Sequence, residues 1–207
     1  METLDLTDPL VFDKWRRQYS EMSSAQHLEF VEKCAAVYPD QMHFSHRVYE
    51  KFFEHYPGLN ILEIGGWKGE LARYCLSNFD IKSWTNIEIC TTAIENTVKM
   101  PNDKYSTICP TDFFWFRGVR HLKADLLISS NTIEHFNNSD FIELVEAITD
   151  IRMVLFEAPL KKNEETWQGY LGTHILEMDW PDVIFLMDRY GYKQTKLDQN
   201  AYLFIKK

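Results

Sequence analysis

The chain lacks a C-x-x-C pair, a basic surplus, an internal repeat and a low-complexity tract. It also has no apolar run near the ~18 residues of a membrane span. Each absence excludes something. Cys34, Cys75, Cys90 and Cys109 are widely spaced beside apolar stretches, where a thiol packs as a small hydrophobe, so reduced cytosolic thiols are expected. The formal net charge is −9, and the basic residues gather only in short pairs such as Arg16-Arg17 and Lys161-Lys162. A surface that tracks phosphates needs a basic face, so a nucleic-acid substrate is not expected. The opening METLDLTDPLVFDKW is acidic, with neither a basic n-region nor an apolar h-region. Neither secretion nor a membrane association is indicated, and a cytoplasmic location is the expectation.

What is present describes a soluble globular chain. Of its 207 residues 45% are hydrophobic and 26% charged, which suits one substantial core rather than two independent domains. The 14 Phe, 10 Tyr and 6 Trp are generous and point to aromatic-lined cavities or caps.

The organising stretch is residues 59–72, LNILEIGGWKGELA. Leu59, Ile61, Leu62 and Ile64 form a continuous aliphatic run without polar alternation, as expected of a parallel strand buried on both faces. Gly65, Gly66 and Gly69 then permit a sharp turn and a close backbone approach to a ligand. From Glu70 the period becomes helical, with Leu71, Ala72, Cys75 and Leu76 on one face, so that the free N–H groups of the helix start face the crevice. A nicotinamide or flavin fingerprint requires G-x-G-x-x-G, and glycines at 65, 66 and 69 do not match it.

Before this stretch, residues 1–57 read as a helical cap, with one helix closed by Pro39 and a second from Gln41 to Tyr56 that carries Phe44, Val48, Phe52 and Tyr56 on one stripe. His43, His46 and His55 read as ordinary helix residues. After it, residues 58–207 alternate strands and helices. Ser83–Ile89 reads as the second strand, Thr91–Met100 as a helix and Lys104–Ile108 as the third strand. Ala124–Ser129 and Ile151–Phe156 read as the fourth and fifth strands. Helices are expected from Asn138 to Ile148 and after Pro181, and a hairpin from Tyr192–Leu197 and Ala201–Ile205, although its turn carries no Asn-Gly signal. The long segment 160–179, with Trp167, Tyr170, His174 and Glu177, is the natural substrate loop. Glu88 lies 19 residues after Gly69, at the end of the second strand, where a Rossmann-like unit places a carboxylate beside the two ribose hydroxyls.

Glu63-Ile64-Gly65-Gly66-Trp67-Lys68-Gly69 resembles the first motif, E/D-x-G-x-G-x-G, of the class I S-adenosylmethionine-dependent methyltransferases. Trp67 stands where that family usually has its second glycine, and Gly66 is in place to move the close approach back by one residue. The resemblance covers roughly residues 59–207. It implies an α/β, Rossmann-like fold: a seven-stranded, mostly parallel sheet with a C-terminal antiparallel hairpin and an N-terminal helical cap that often acts as a lid. It implies that Glu63, Gly65, Gly66, Trp67, Gly69, Glu88 and Ile89 hold S-adenosylmethionine, that Asp112 and Phe113 receive its adenine, and that Ser130 and Asn131 line the passage to the methyl group. The Glu134-His135 pair resembles the E-H dipeptide that small-molecule members often carry after the fourth strand. A related subgroup holds a divalent metal with E-x-x-E-H. Here Asn131 replaces the first carboxylate, which leaves no metal site expected.

A histidine at that place can take a proton from a hydroxyl or amine nucleophile, and an adjacent carboxylate can orient it or stabilise its charge. His135 is the first candidate base, Glu134 its partner and His174 the second candidate; packing of His135 at the helix start is the plainer alternative. The reading is methyl transfer to a small-molecule acceptor at oxygen. The alternative is a non-catalytic cofactor-binding or partner-binding module on the same fold, in which Trp67 spoils the methionine pocket.

Overall fold

The protein is seen in a computed structural model that describes residues 45–88, 91–109, 119, 121–136, 138–160, 176 and 178–207. Among these, helices span His46–His55 (α1), Glu70–Asn78 (α2), Thr91–Glu95 (α3), Asn138–Ala147 (α4) and Trp180–Arg189 (α5). Strands span Leu59–Ile64 (β1), Ile81–Ile87 (β2), Tyr105–Ile108 (β3), Leu126–Ser130 (β4), Met153–Glu157 (β5), Tyr192–Asp198 (β6) and Ala201–Lys206 (β7). They form one sheet in the order β3-β2-β1-β4-β5-β7-β6. The pairings from β3 to β5 are parallel, whereas β7 runs antiparallel to both β5 and β6. This is the expected seven-stranded α/β sheet with its terminal hairpin.

Alternation along the strands divides the core in two. Ile61, Trp84, Ile128, Leu155 and Leu203 face one way, against Val48, Tyr49, Phe52 and Phe53 of α1 and Leu71, Ala72 and Cys75 of α2. Leu62, Ile64, Leu127, Val154, Phe156 and Phe204 face the other way, against Phe141, Leu144 and Val145 of α4 and Val183 and Met187 of α5. The described part of the N-terminal region, α1, is therefore a core layer of the sheet. No described helix is long and apolar enough to cross a membrane.

Three local outcomes differ from, or complete, the sequence reading. The helix expected over 91–100 ends at Glu95. Thr97 closes it by returning both its N–H and its hydroxyl to the Ile94 carbonyl, and the Val98 N–H goes instead to the Lys68 carbonyl of the glycine loop at 2.9 Å. In the β6–β7 turn, which carries no Asn-Gly dipeptide, the Asp198 carboxylate accepts the Gln199 N–H at 2.7 Å. The start of α5 carries a full capping box, with Asp179 and Asp182 each accepting the other's backbone N–H.

The chain runs outward from β1 through β2 to β3 and then returns to β4 on the opposite side of β1. That reversal is the switch point of the sheet, and crevices for ligands open at the carboxyl ends of the strands there.

Candidate functional site

The first half of the site is the turn from β1 into α2. Gly65 and Gly69 have φ of 70° and 81°, the left-handed region that a side chain disfavours. Gly66 is glycine for a different reason: a Cβ there would overlap the Glu63 carboxylate and lie 2.7 Å from Asn86 Oδ1. Trp67 takes φ of 50°, in the left-handed region that a side chain disfavours, at a cost of about 1 kcal/mol.

The loop is bonded to the end of β2 by three successive N–H groups. Gly65 donates to the Ile87 carbonyl at 2.8 Å, Gly66 to Asn86 Oδ1 at 3.0 Å and Trp67 to Glu88 Oε2 at 2.9 Å. Glu63 is buried beneath the loop and accepts the Trp84 indole N–H at 2.8 Å. Burial pushes its carboxyl up to about 8, the Trp84 bond working against this and the Glu88 and Glu70 charges adding to it.

The second half is the exit of β4. Asn131 also has φ of 50°, and its N–H donates to the Glu157 carbonyl at 2.8 Å. The Thr132 hydroxyl reaches the Gly65 carbonyl at 3.3 Å, and a Cβ on Gly65 would strike the Thr132 side chain. This contact joins the two halves. A short 3-10 turn, Ile133–His135, follows, closed by the bond from the His135 N–H to the Thr132 carbonyl at 3.0 Å. Glu134 is buried there, and its Oε2 has no hydrogen-bond partner among the described residues. Burial holds its carboxyl up at about 8, its own backbone N–H working against this and the Glu157 charge adding to it. His135 is half-buried. From the other side the Leu176 N–H bonds to the Glu134 carbonyl at 3.1 Å, which brings the end of the segment 160–179 to this turn.

The structure thus gathers Glu63, Gly65, Gly66, Trp67, Gly69 and Glu88 into one bonded loop, and places Ser130, Asn131, Glu134 and His135 at the adjoining strand exit. Ile89, Asp112, Phe113 and His174 lie outside the described residues. Among the described residues no group of three or more His, Cys, Asp or Glu side chains is arranged to hold a metal ion.

Three contributors escaped the sequence reading. Asn86 is fully buried in β2, where it receives the Gly66 N–H; a lone amide inside the strand SWTNIEI, between Thr85 and Ile87, was its signal. Glu157 ends β5 and accepts the Ser45 N–H at 2.9 Å, the Tyr49 hydroxyl at 3.0 Å and the Ser130 hydroxyl at 2.9 Å. A carboxylate closing an aliphatic strand marked Glu157 as it had marked Glu63 and Glu88. Nothing local marked Tyr49.

No family model matches the chain, and no curated protein matches it in sequence. Solved structures do match it. Magnesium protoporphyrin IX methyltransferase from Synechocystis PCC 6803, with bound SAH, superposes with a TM-score of 0.56 at 13% identity over 99% of this chain and 98% of that one. An O-methyltransferase family protein from Burkholderia thailandensis gives 0.61 at 11% identity, over 76% of this chain and 53% of that one. The DhpI–SAH complex gives 0.54 at 10% identity, over 93% and 92%. With its seven-stranded sheet and terminal antiparallel hairpin, this chain has the Rossmann-like fold of the class I methyltransferases.

Proposed function

We propose that the protein is an S-adenosylmethionine-dependent methyltransferase that acts on an oxygen of a small-molecule acceptor. The observation that carries this reading is the joint between the two half-sites at the switch point: a glycine loop bonded to Asn86 and Glu88 meets the β4 exit through the Thr132–Gly65 contact. The residues present fit the cofactor. Gly66 passes where no side chain has room, Glu88 closes the second strand with a carboxylate, and Glu134 keeps a buried oxygen unpartnered among the described residues. The names of the matching structures support the same class, with an O-methyltransferase and a porphyrin methyltransferase among them.

When bound, S-adenosylmethionine supplies a methyl group already activated on a sulfonium, so the protein's work is alignment and proton removal. In this reading Glu88 accepts the ribose hydroxyls, and Gly65, Gly66, Trp67 and Gly69 carry the backbone past the ligand. Asp112 and Phe113 receive the adenine, as the family resemblance implies. Ser130 and Asn131 line the passage to the acceptor. His135 takes the proton from the acceptor hydroxyl, with His174 as the second candidate. The cytoplasmic location expected from the sequence belongs to the same reading.

Titration calorimetry with S-adenosylmethionine and S-adenosylhomocysteine tests the proposal. Binding of both, followed by turnover on a hydroxylated acceptor, is expected. Binding without turnover on any nucleophile points to the non-catalytic module, and the absence of binding overturns the reading.

A further inference from the structure

The glycine loop rests on side chains from two strands. Asn86 is fully buried in β2 between two partners, its Oδ1 accepting the Gly66 N–H at 3.0 Å and its Nδ2 donating to Tyr105 Oη, on β3, at 3.1 Å. Trp84 is the ladder partner of Tyr105, and Asn86 stands two positions further along β2, so the asparagine and the tyrosine share a face of the sheet. The same tyrosine meets the other end of the loop. A Cβ on Gly69 would lie 3.1 Å from Tyr105 Oη and would strike Met100 Cε. Both ends of the loop are thus set against one phenol, Gly66 through the Asn86 amide and Gly69 by contact. Burial raises the pKa of that phenol from its ordinary 10, the Thr107 and Asn86 hydrogen bonds working against this and the Glu63 and Glu88 charges adding to it.

We propose that Tyr105 is a positioning residue for the cofactor loop, acting through the Asn86 side chain to fix the N–H of Gly66. The inference rests on the cofactor reading above. The two ends of a carboxamide are nearly alike in shape, so its partners decide which way it faces. With Oδ1 given to Gly66, Nδ2 is a buried donor that needs an acceptor, and Tyr105 supplies it. Glu63 is the competing acceptor, since its carboxylate and Asn86 Oδ1 border the same space where a Gly66 Cβ would stand. Without the Tyr105 oxygen, rotation of the amide toward Glu63 pairs Nδ2 at the expense of the Gly66 bond. The three loop bonds also divide their work. The Gly65 N–H ends on the Ile87 carbonyl, and the Trp67 N–H on Glu88, the carboxylate that the ribose shares in the cofactor reading. Asn86 has no such second task, so it holds the loop at Gly66 independently of how Glu88 is engaged.

The sequence contains a single Gly-Gly pair, Gly65-Gly66, which gives a direct test. Protein made with glycine carrying 13C at the carbonyl and 15N has one 15N bonded to a 13C carbonyl, so an HNCO spectrum shows the Gly66 N–H alone. In the ligand-free wild type this peak should resist exchange in D2O. In Tyr105→Phe, which keeps the ring against Gly69, the amide proton should move upfield, and the Kd for S-adenosylhomocysteine, read by calorimetry, should rise about fivefold. Asn86→Ala should move the peak and weaken binding at least as much. Adding Tyr105→Phe to Asn86→Ala should then cost no further affinity, because the phenol acts through the amide. A tyrosine that only packs would leave the peak in place and make the two losses add. A wild-type Gly66 N–H that exchanges at once overturns the inference, as does a Tyr105→Phe variant with unchanged peak and Kd. If circular dichroism shows that Tyr105→Phe has not folded, Asn86→Ala decides, since an unchanged Kd there overturns the inference as well. Failure of the wild type to bind S-adenosylhomocysteine at all removes the cofactor reading itself, a different result from binding that ignores Tyr105.

Discussion

The Trp67 backbone N–H donates to Glu88 Oε2 at 2.9 Å, so the carboxylate that we propose binds the ribose also holds the glycine loop at its most strained residue. In that proposal the two roles are coupled: the bond to Trp67, whose φ is 50°, also restrains the Glu88 carboxylate.

Glu88→Ala should weaken binding of S-adenosylhomocysteine by about 1–3 kcal/mol, the range for hydrogen bonds lost from a charged acceptor. Calorimetry read beside a thermal melt separates the two roles. A lower melting temperature with an unchanged Kd would assign Glu88 to the loop alone.

Gly66→Ala should lower stability by about 1–3 kcal/mol, the usual cost of overpacking, because the added methyl overlaps the Glu63 carboxylate and crowds Asn86. Trp67→Gly should be tolerated by the fold, since it relieves the left-handed strain at that position. Urea unfolding of the two variants checks the contrast; equal losses would show that the space above Glu63 is not limiting.

Glu63 and Glu134 are both held up at about 8 from an ordinary value of 4.5. For an acid whose folded pKa is raised, the unfolded chain releases its proton first as pH rises. The contribution to stability is therefore complete below about 4.5 and is lost progressively as pH climbs through about 8. The melting temperature of the ligand-free protein should fall over that window, and Glu134→Gln, which is neutral at every pH, should make the fall shallower. A melting temperature equally steep in the variant would show that Glu134 is not buried as an acid.

His135→Ala should reduce turnover about 100-fold or more, the ordinary contribution of a general base, with the Kd for cofactor nearly unchanged. Once an acceptor is known, the ascending limb of the wild-type pH–rate profile should disappear in the variant. Near-normal turnover would transfer the role to His174, and loss of folding would mean that His135 packs the turn.

Local order was legible in the residues themselves. Strand β1, the turn at Gly65 and Gly69, the helix from Glu70 and the acid closing β2 are each specified by neighbours within a few positions, because periodicity and φ preference act over that range. The return that brings β4 beside β1 follows from general rules of chain connection once the alternation of strands and helices is read. Less visible was the conformation of Trp67, where the fold imposes a dihedral that the residue type argues against.

The amino-acid sequence by itself therefore determined the sheet and the glycine turn. Only the tertiary structure decided the partners that set the site's electrostatics. Tyr49 reaches Glu157 across 108 residues of chain, Trp84 reaches Glu63 across 21, and Thr132 reaches Gly65 across 67. Whether a carboxylate is charged, shared or left without a partner depends on what surrounds it in space and on how much water is excluded. Those quantities exist only once distant strands have been brought together.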